Sequence, residues 1–181
     1  MGCNYSTENI SLDKRSKART GKPKRQETAT HTLTSINCNE AEIDISHFSN
    51  CQEAIGIGGF GLVRKVTKIS GTDKGVQYAM KSMSKEAILK RTSGPNAVIT
   101  ELKCLEKLTN SIYVSRIHYA FQTPSHLYMV LDLATGGDLR LCLRSLAIGK
   151  LSEDAARHVI VQTLLALSHC HQKSILHRGM S

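Results

Sequence analysis

The pattern of apolar and polar residues predicts strands in the first part of the folded region and helices in the second. Two early runs contain β-branched residues at strand-like density and are separated by a polar turn at 71–75. Two later apolar runs flank a second polar turn at 122–126. We therefore predict a first strand that leads into Ala54 and Ile55, and further strands over 62–69, 76–81, 112–121 and 127–133.

Helical spacing replaces the strand pattern in three other segments. Between 96 and 108, apolar residues recur three or four positions apart after a glycine–proline start signal. A short helix is predicted at 139–147 and a long one at 152–171, where Ser152 is the expected N-cap. The apolar face of the long helix is predicted to contain Ala156, Ile160, Leu164 and Leu167, widened by Val159 and Thr163.

The composition fits one ordinary domain with a tail. The chain has 181 residues, 40% of them apolar, and no run approaches the roughly 20 apolar residues of a membrane span. No apolar segment of a secretory signal follows the first residues. Six scattered cysteines without a C-x-x-C pair are typical of reduced thiols in a cytosolic protein. His169, Cys170 and His171 are not expected to bind metal, because adjacent helix positions point in different directions.

The net charge of +9 includes a basic block near the N-terminus. Seven lysines and arginines lie between residues 14 and 25 without an acidic residue among them. Nucleic-acid binding is the weakest interpretation of this block, because no aromatic residue interleaves the charges for base stacking. Residues 26–46 are rich in Thr, Ser and Asn, so residues 1–46 are predicted to form a disordered tail and linker.

The N-terminus carries an acylation pattern. Gly2 and Ser6 fit M-G-x-x-x-[ST], the pattern for N-myristoylation, and Cys3 is placed for palmitoylation. One myristoyl chain holds a membrane only weakly, so stable attachment needs a second signal, which Cys3 or the basic block can supply. We therefore predict a cytoplasmic protein anchored to the anionic cytoplasmic face of the plasma membrane. A solvated tail with a chance motif is the alternative.

Three glycines after the first strand have the spacing of a phosphate-binding turn. Gly56, Gly58 and Gly61 form G-x-G-x-x-G, and Val63 extends the pattern. A Rossmann nucleotide fold uses the same spacing but opens a helix at the last glycine. Here a predicted strand follows, so the glycines should lie in a β-hairpin whose backbone N–H groups can close over phosphates. Lys81 can bring a positive charge to the same phosphates.

This order of glycine turn, strands and lysine resembles the ATP site of protein kinases. The resemblance implies that Glu101 pairs with Lys81, and Glu106 is the rival acid. The stretch 126–139 resembles a kinase hinge with Leu131 at the gatekeeper position. By the same resemblance, the ATP-binding residues are Ile55, Gly56, Ile57, Gly58, Gly59, Phe60, Gly61, Leu62, Val63, Ala79, Lys81, Glu101, Leu131, Asp132, Ala134 and Asp138.

The resemblance also implies individual roles within this set. Phe60 caps the phosphates, and Val63 and Ala79 form the upper wall of the adenine pocket. The backbone from Asp132 to Ala134 offers hydrogen-bonding groups to adenine. Asp138 falls where the family has an acidic residue for the ribose hydroxyls.

The hinge stretch 132–140, the HF pair at 47–48 and the MG…S start are similar to the YANK branch of the AGC-type serine/threonine kinases. The family transfers phosphoryl groups from ATP, with Mg²⁺, to protein Ser or Thr. The resemblance implies an α+β fold. A kinase N-lobe, with a five-stranded antiparallel sheet and the αC helix, is expected over 47–131. The hinge and only the first helices of the C-lobe are expected over 132–181.

The chain departs from the family pattern near residue 179. His177 and Arg178 match the H-R-D motif, but Gly179 occupies the position of the catalytic Asp, and Ser181 that of the loop lysine. The Mg²⁺-binding Asn and the D-F-G segment are also absent from the sequence, so no metal ligands are expected. Loss of a general base alone costs about 10²–10⁴-fold in rate. We therefore predict a truncated chain or pseudokinase that binds ATP without transferring phosphate.

Two further expectations concern partners. The apolar face of the long helix would lack its usual covering helices, so it is expected to require a protein partner. The alternative function is a membrane-tethered, non-catalytic interaction module in which the glycine turn has no nucleotide role.

Overall fold

The computed structural model describes residues 5–10, 31–36, 43–49, 54–58, 61–92, 94–146 and 149–179. The predicted acylation residues Gly2 and Cys3 and the basic block 14–25 lie outside the described residues, as do Gly59, Phe60 and Ser181. The strands that it contains are β1 (Tyr5–Ile10), β2 (His31–Ile36), β3 (Ala54–Gly58), β4 (Gly61–Thr67), β5 (Gln77–Ser84), β6 (Ile117–Gln122) and β7 (His126–Asp132).

The central element is a five-stranded antiparallel sheet in the spatial order β3-β4-β5-β7-β6. It confirms the predicted α+β fold, and β4, β5 and β7 lie close to their predicted positions. The prediction for β6 was wrong at its start, because 112–116 is irregular. Ile112 is 87% exposed, and pairing with β7 begins only where Ile117 lies opposite Leu131.

The helical elements are a 3-10 turn at Ile45–His47, α1 (Lys85–Leu89), α2 (Gly94–Lys107), α3 (Leu139–Ser145) and α4 (Glu153–Gln172). The sequence pattern does not predict α1, although Ser84 caps it by accepting a hydrogen bond from the backbone N–H of Ala87 at 3.4 Å. α2 starts close to α1, so that a methyl group on Gly94 would overlap the carbonyl oxygen of Ile88. A glycine is therefore required where α2 begins.

The two faces of the sheet bury different clusters, because successive side chains of a strand point to opposite sides. The inner face, covered by α2, buries Met83, Ile88, Val98, Leu102, Ile117, Ala120, Leu127 and Met129. The outer face buries Phe48, Val66, Tyr78, Met80, Phe121 and Val130.

An ion pair is buried beside the outer-face cluster. The Lys68 side chain is fully buried, and its Nζ lies 2.6 Å from Oδ1 of Asp73. The hydroxyls of Tyr78 and Tyr119 donate to Oδ2 of Asp73 at 2.6 and 2.7 Å. Burial raises the pKa of Asp73, but the hydrogen bonds from these three residues outweigh it and lower the pKa to about 2. The charge of Lys68 is thus compensated by hydrogen-bonded contacts.

The long helix α4 has a confirmed N-cap and a divided apolar face. Ser152 accepts a hydrogen bond from the backbone N–H of Ala155 at 3.3 Å. Ile160 and Leu164 are each 58% exposed, as expected for an uncovered face. Val159 and Leu167 instead line a cavity between α4 and α2, so the predicted stripe is exposed only in part.

Two strands lie in the segment that the sequence predicts to be a disordered tail. β1 and β2 pair antiparallel, with Tyr5 opposite Ile36, and β2 contacts β6. β1 contains Thr7 and Ile10, and β2 contains Thr32, Thr34 and Ile36; these β-branched residues favour extended backbone. Across the part of the chain that the structure describes, no helix has the length and apolar character needed to cross a bilayer.

Candidate functional site

The inner face of the sheet carries an ion pair that joins β5 to α2. Nζ of Lys81 lies 2.5 Å from Oε1 of Glu101. In the sheet, Lys81 is opposite Val63 on β4 and Met129 on β7, so apolar neighbours flank its stem. Its side chain is only 12% exposed, whereas that of Glu101 is 36% exposed. The pair therefore presents a positively charged group at a partly enclosed position.

Position along α2 decides which glutamate reaches Lys81, because Glu101 and Glu106 both lie at helical spacing from a buried residue. Glu101 lies three residues after Val98 and one before Leu102, both of which are buried against the inner face. The rival acid, Glu106, lies more than a turn further along the helix, where burial raises its pKa and Lys103 partly opposes the increase. The partner of Lys81 is Glu101, as the resemblance to protein kinases implies.

The glycine pattern forms a hairpin between β3 and β4. Gly56 pairs with Val63, Ile57 with Leu62, and Gly58 with Gly61. Ile57 is 88% exposed at this hairpin. Because a strand follows the last glycine, the arrangement differs from the strand-to-helix turn of a Rossmann fold.

Gly61 has a structural requirement of its own. A methyl group at this position would overlap the carbonyl oxygen of Ser82, so β4 approaches β5 more closely than another residue would allow. Gly56 has more room, since its nearest neighbour would be Cβ of Val63 at 3.9 Å. Gly61 is therefore required for the packing of β4 against β5, in addition to any role of the glycines in leaving space for a ligand.

Small and apolar residues line the inner face next to Lys81. Ala79 is buried two residues before it and lies opposite Leu131 on β7. Val63 and Leu131 are half-buried, while Ile55 on β3 is 43% exposed. These side chains form an apolar surface beside the charged pair, where a flat aromatic group can be covered.

The linker after β7 starts at a residue with several contacts. Oδ1 of Asp132 lies 2.6 Å from Nε2 of His118, and Oδ2 accepts hydrogen bonds from Arg116. Sequence reasoning missed His118 and Arg116, because no motif connects them to Asp132 before the strand register is known. Ala134, further along the linker, is exposed.

Asp138 has a role that the sequence pattern does not predict. Its Oδ1 accepts a hydrogen bond from the backbone N–H of Leu141 at 2.7 Å, so Asp138 is the N-cap of α3. The carboxylate is therefore already engaged by the helix that it begins.

A cavity of about 740 Å³ separates α2 from α4. Glu101 and Leu105 line it from α2, and His177 lines it from the segment after α4.

Arg178 has a positive φ of 61°, an uncommon conformation for a residue with a side chain. Gly179 is exposed, and a Cβ at this position would meet no atom within 4 Å. A larger side chain would therefore fit there.

Comparisons with known proteins agree with this geometry. The family model described as the protein kinase domain matches residues 49–180. Putative ribosomal protein S6 kinase alpha-2 of Caenorhabditis elegans is 32% identical over 128 residues, which cover 70% of this chain and 16% of that protein. A probable serine/threonine-protein kinase of Dictyostelium discoideum is 36% identical over 138 residues, which cover 76% and 28%. Ribosomal protein S6 kinase alpha-4 of Mus musculus is 30% identical over 149 residues, which cover 82% and 19%. The chain thus spans less than a third of the length of these relatives.

Proposed function

Because this chain belongs to the protein kinase family, we propose that it binds ATP on the inner face of its sheet and does not transfer the terminal phosphate by itself. The observation that carries the nucleotide part is the 2.5 Å contact between Lys81 and Glu101 beside the glycine hairpin. The observation that carries the inactive part is Gly179, which has no side chain and stands where the H-R-D motif has its Asp.

The residues present fit a nucleotide. Lys81 would hold a phosphate group, and the backbone N–H groups of the glycine hairpin would lie over the same group. Val63, Ala79 and Leu131 would cover the adenine ring. ATP supplies the transferable phosphoryl group in this family, and this chain's own residues bind and orient it.

The proposal that the terminal phosphate is not transferred rests on Gly179, the residue that follows His177 and Arg178. In protein kinases an Asp at this place accepts the proton of the substrate hydroxyl. Gly179 cannot accept a proton, and loss of a general base typically lowers the rate by about 10²–10⁴-fold. The pseudokinase interpretation therefore belongs to this proposal.

Two finer assignments are also proposals. Similarity to ribosomal protein S6 kinases supports an AGC-type kinase, and assignment to the YANK branch rests on the sequence of the hinge and of the N-terminus. Anchoring at the cytoplasmic face of the plasma membrane rests on the acylation pattern at Gly2 and Cys3 and on the basic block.

Thermal unfolding with and without ATP and Mg²⁺ tests the nucleotide site. We expect ATP to raise the unfolding temperature of the parent chain and of Lys103→Met, a control on the exposed side of α2. Lys81→Met should abolish the increase. A folded parent chain that shows no increase would instead support the non-catalytic interaction module.

Transfer of radiolabelled γ-phosphate to a generic Ser/Thr substrate tests the second half of the proposal. We expect no transfer above the background of Lys81→Met. Transfer by the parent chain that Lys81→Met abolishes would contradict the proposal.

A further inference from the structure

A bulge in β6 directs His118 toward the end of β7. Ile117 lies opposite Leu131 and Tyr119 opposite Val130, so His118 is an extra residue in the ladder. Bulges of this kind change the direction in which a side chain points. The imidazole consequently reaches Asp132, the last residue of β7 and the first of the linker.

Asp132 is held by both its side chain and its backbone. Nε2 of His118 lies 2.6 Å from Oδ1, and Arg116 donates to Oδ2 from its backbone N–H at 2.9 Å and from Nε at 3.3 Å. The backbone N–H of Asp132 donates to the carbonyl oxygen of Arg116 at 3.0 Å. These contacts fix the direction in which the chain leaves the sheet.

We propose that Arg116, His118 and Asp132 form a clamp that positions the linker backbone for adenine, and that protonation of His118 tightens the clamp. His118 and Arg116 are positioning residues, since they act through Asp132. The clamp rests on the proposed nucleotide site and adds a pH-dependent control of its linker.

The surroundings of His118 determine the sign of the pH effect. The titratable groups in contact with it include the Asp132 carboxylate and Tyr78, whose ring centroid lies 4.9 Å away. The positively charged Arg116 contacts the same carboxylate. Histidine gains its charge between about pH 5 and 8. Burial raises the pKa of Asp132, but hydrogen bonds from His118 and Arg116 outweigh it and lower the pKa. The contact therefore favours a charged carboxylate, and a proton on the imidazole of His118 would increase the attraction between them.

The side chains are partly exposed, so the effect should be modest. Those of Arg116, Asp132 and His118 are 56%, 37% and 28% exposed. Pairs near solvent change an equilibrium by roughly two- to fivefold.

Two measurements on the full chain test the clamp. The first follows the backbone amide signals of Leu133 and Ala134 by NMR between about pH 8 and 5.5. The second measures the affinity for adenosine over the same range, because adenosine has no phosphate that titrates there. His118→Gln is the test variant, and His126→Gln, at the other end of β7, is the matched control.

In the parent chain and in His126→Gln, we expect the chemical shifts of the two linker amides to change with pH along the same curve. We also expect adenosine to bind roughly two- to fivefold more tightly near the acidic end of this range than near its basic end. Both responses should disappear in His118→Gln. Linker amides that titrate equally in His118→Gln would overturn the clamp. Amides that titrate without any change in adenosine affinity would overturn its positioning role. If ATP fails to stabilise the chain and adenosine does not bind, the proposed function fails, and the positioning role fails with it.

Discussion

Nζ of Lys81 on β5 lies 2.5 Å from Oε1 of Glu101 on α2, although the two residues are twenty positions apart in the sequence and belong to a strand and a helix. The contact requires the fold, because only packing of α2 on the inner face brings the two side chains together. It also links the helix to the strand that carries the proposed phosphate-binding charge. Nucleotide binding, as proposed, depends on this pair.

Glu101→Gln should weaken ATP binding, because the neutral amide orients the Lys81 ammonium less strongly. We expect the dissociation constant to rise about fivefold, as for loss of about 1 kcal/mol from a partly exposed ion pair. Titration calorimetry measures the change. Glu106→Gln is the matched control and should bind ATP like the parent chain; an equal loss in both variants would contradict the assignment of the pair.

Gly61→Ala should destabilise the sheet, because the added methyl group would overlap the carbonyl oxygen of Ser82. We expect the free energy of unfolding to fall by about 1–3 kcal/mol, as for other overpacked positions. Urea denaturation measures it. Gly56→Ala, which has space beside Val63, should change it much less, and equal effects would show that the close approach of β4 to β5 is not the cause.

Asp73→Asn should lower the free energy of unfolding by about 3 kcal/mol, because the fully buried Lys68 would lose its anionic partner. Chemical denaturation near neutral pH measures this loss. Asp154→Asn, in the exposed first turn of α4, is the control for removing an acidic residue and should have a small effect. A similar loss in both variants would show that the buried ion pair is not the source of the stability.

The same pair predicts a pH dependence. The pKa of Asp73 is lowered to about 2 from its ordinary 3.8, so its contribution is complete above about pH 4 and is lost as the pH falls toward 2. The parent chain should therefore lose about 2 kcal/mol more than Asp73→Asn across this interval. Parallel stability curves for the two proteins would exclude an Asp73 charge as the stabilising group.

Gly2→Ala should abolish incorporation of a myristate analogue, because N-myristoylation requires an N-terminal glycine after Met removal. Cys3→Ser should retain myristate and lose membrane retention, since a single chain binds only weakly. Metabolic labelling and membrane fractionation distinguish the two. Label that persists in Gly2→Ala would contradict the proposed anchor.

The sequence was sufficient for the features that depend on local periodicity. The spacing of Val98 and Leu102 predicts α2, whereas the choice of Glu101 over Glu106 came from the resemblance to protein kinases. The glycine pattern followed by a strand predicts a hairpin. The α2 helix and the hairpin could be predicted because each depends on residues that are close together in the sequence.

Features that depend on register or on competing local contacts could not be predicted. The bulge that turns His118 toward Asp132 is defined only once β6 pairs with β7. The family pattern suggests a ribose contact for Asp138, whereas the fold also uses this residue to cap α3. α1 has five residues, too few for an apolar repeat to be visible.

Isothermal titration of the purified chain with ATP and Mg²⁺ tests the central claim most directly. We predict one saturable site that Lys81→Met abolishes and Lys103→Met retains. No binding by a folded parent chain, or binding that Lys81→Met leaves unchanged, would contradict it.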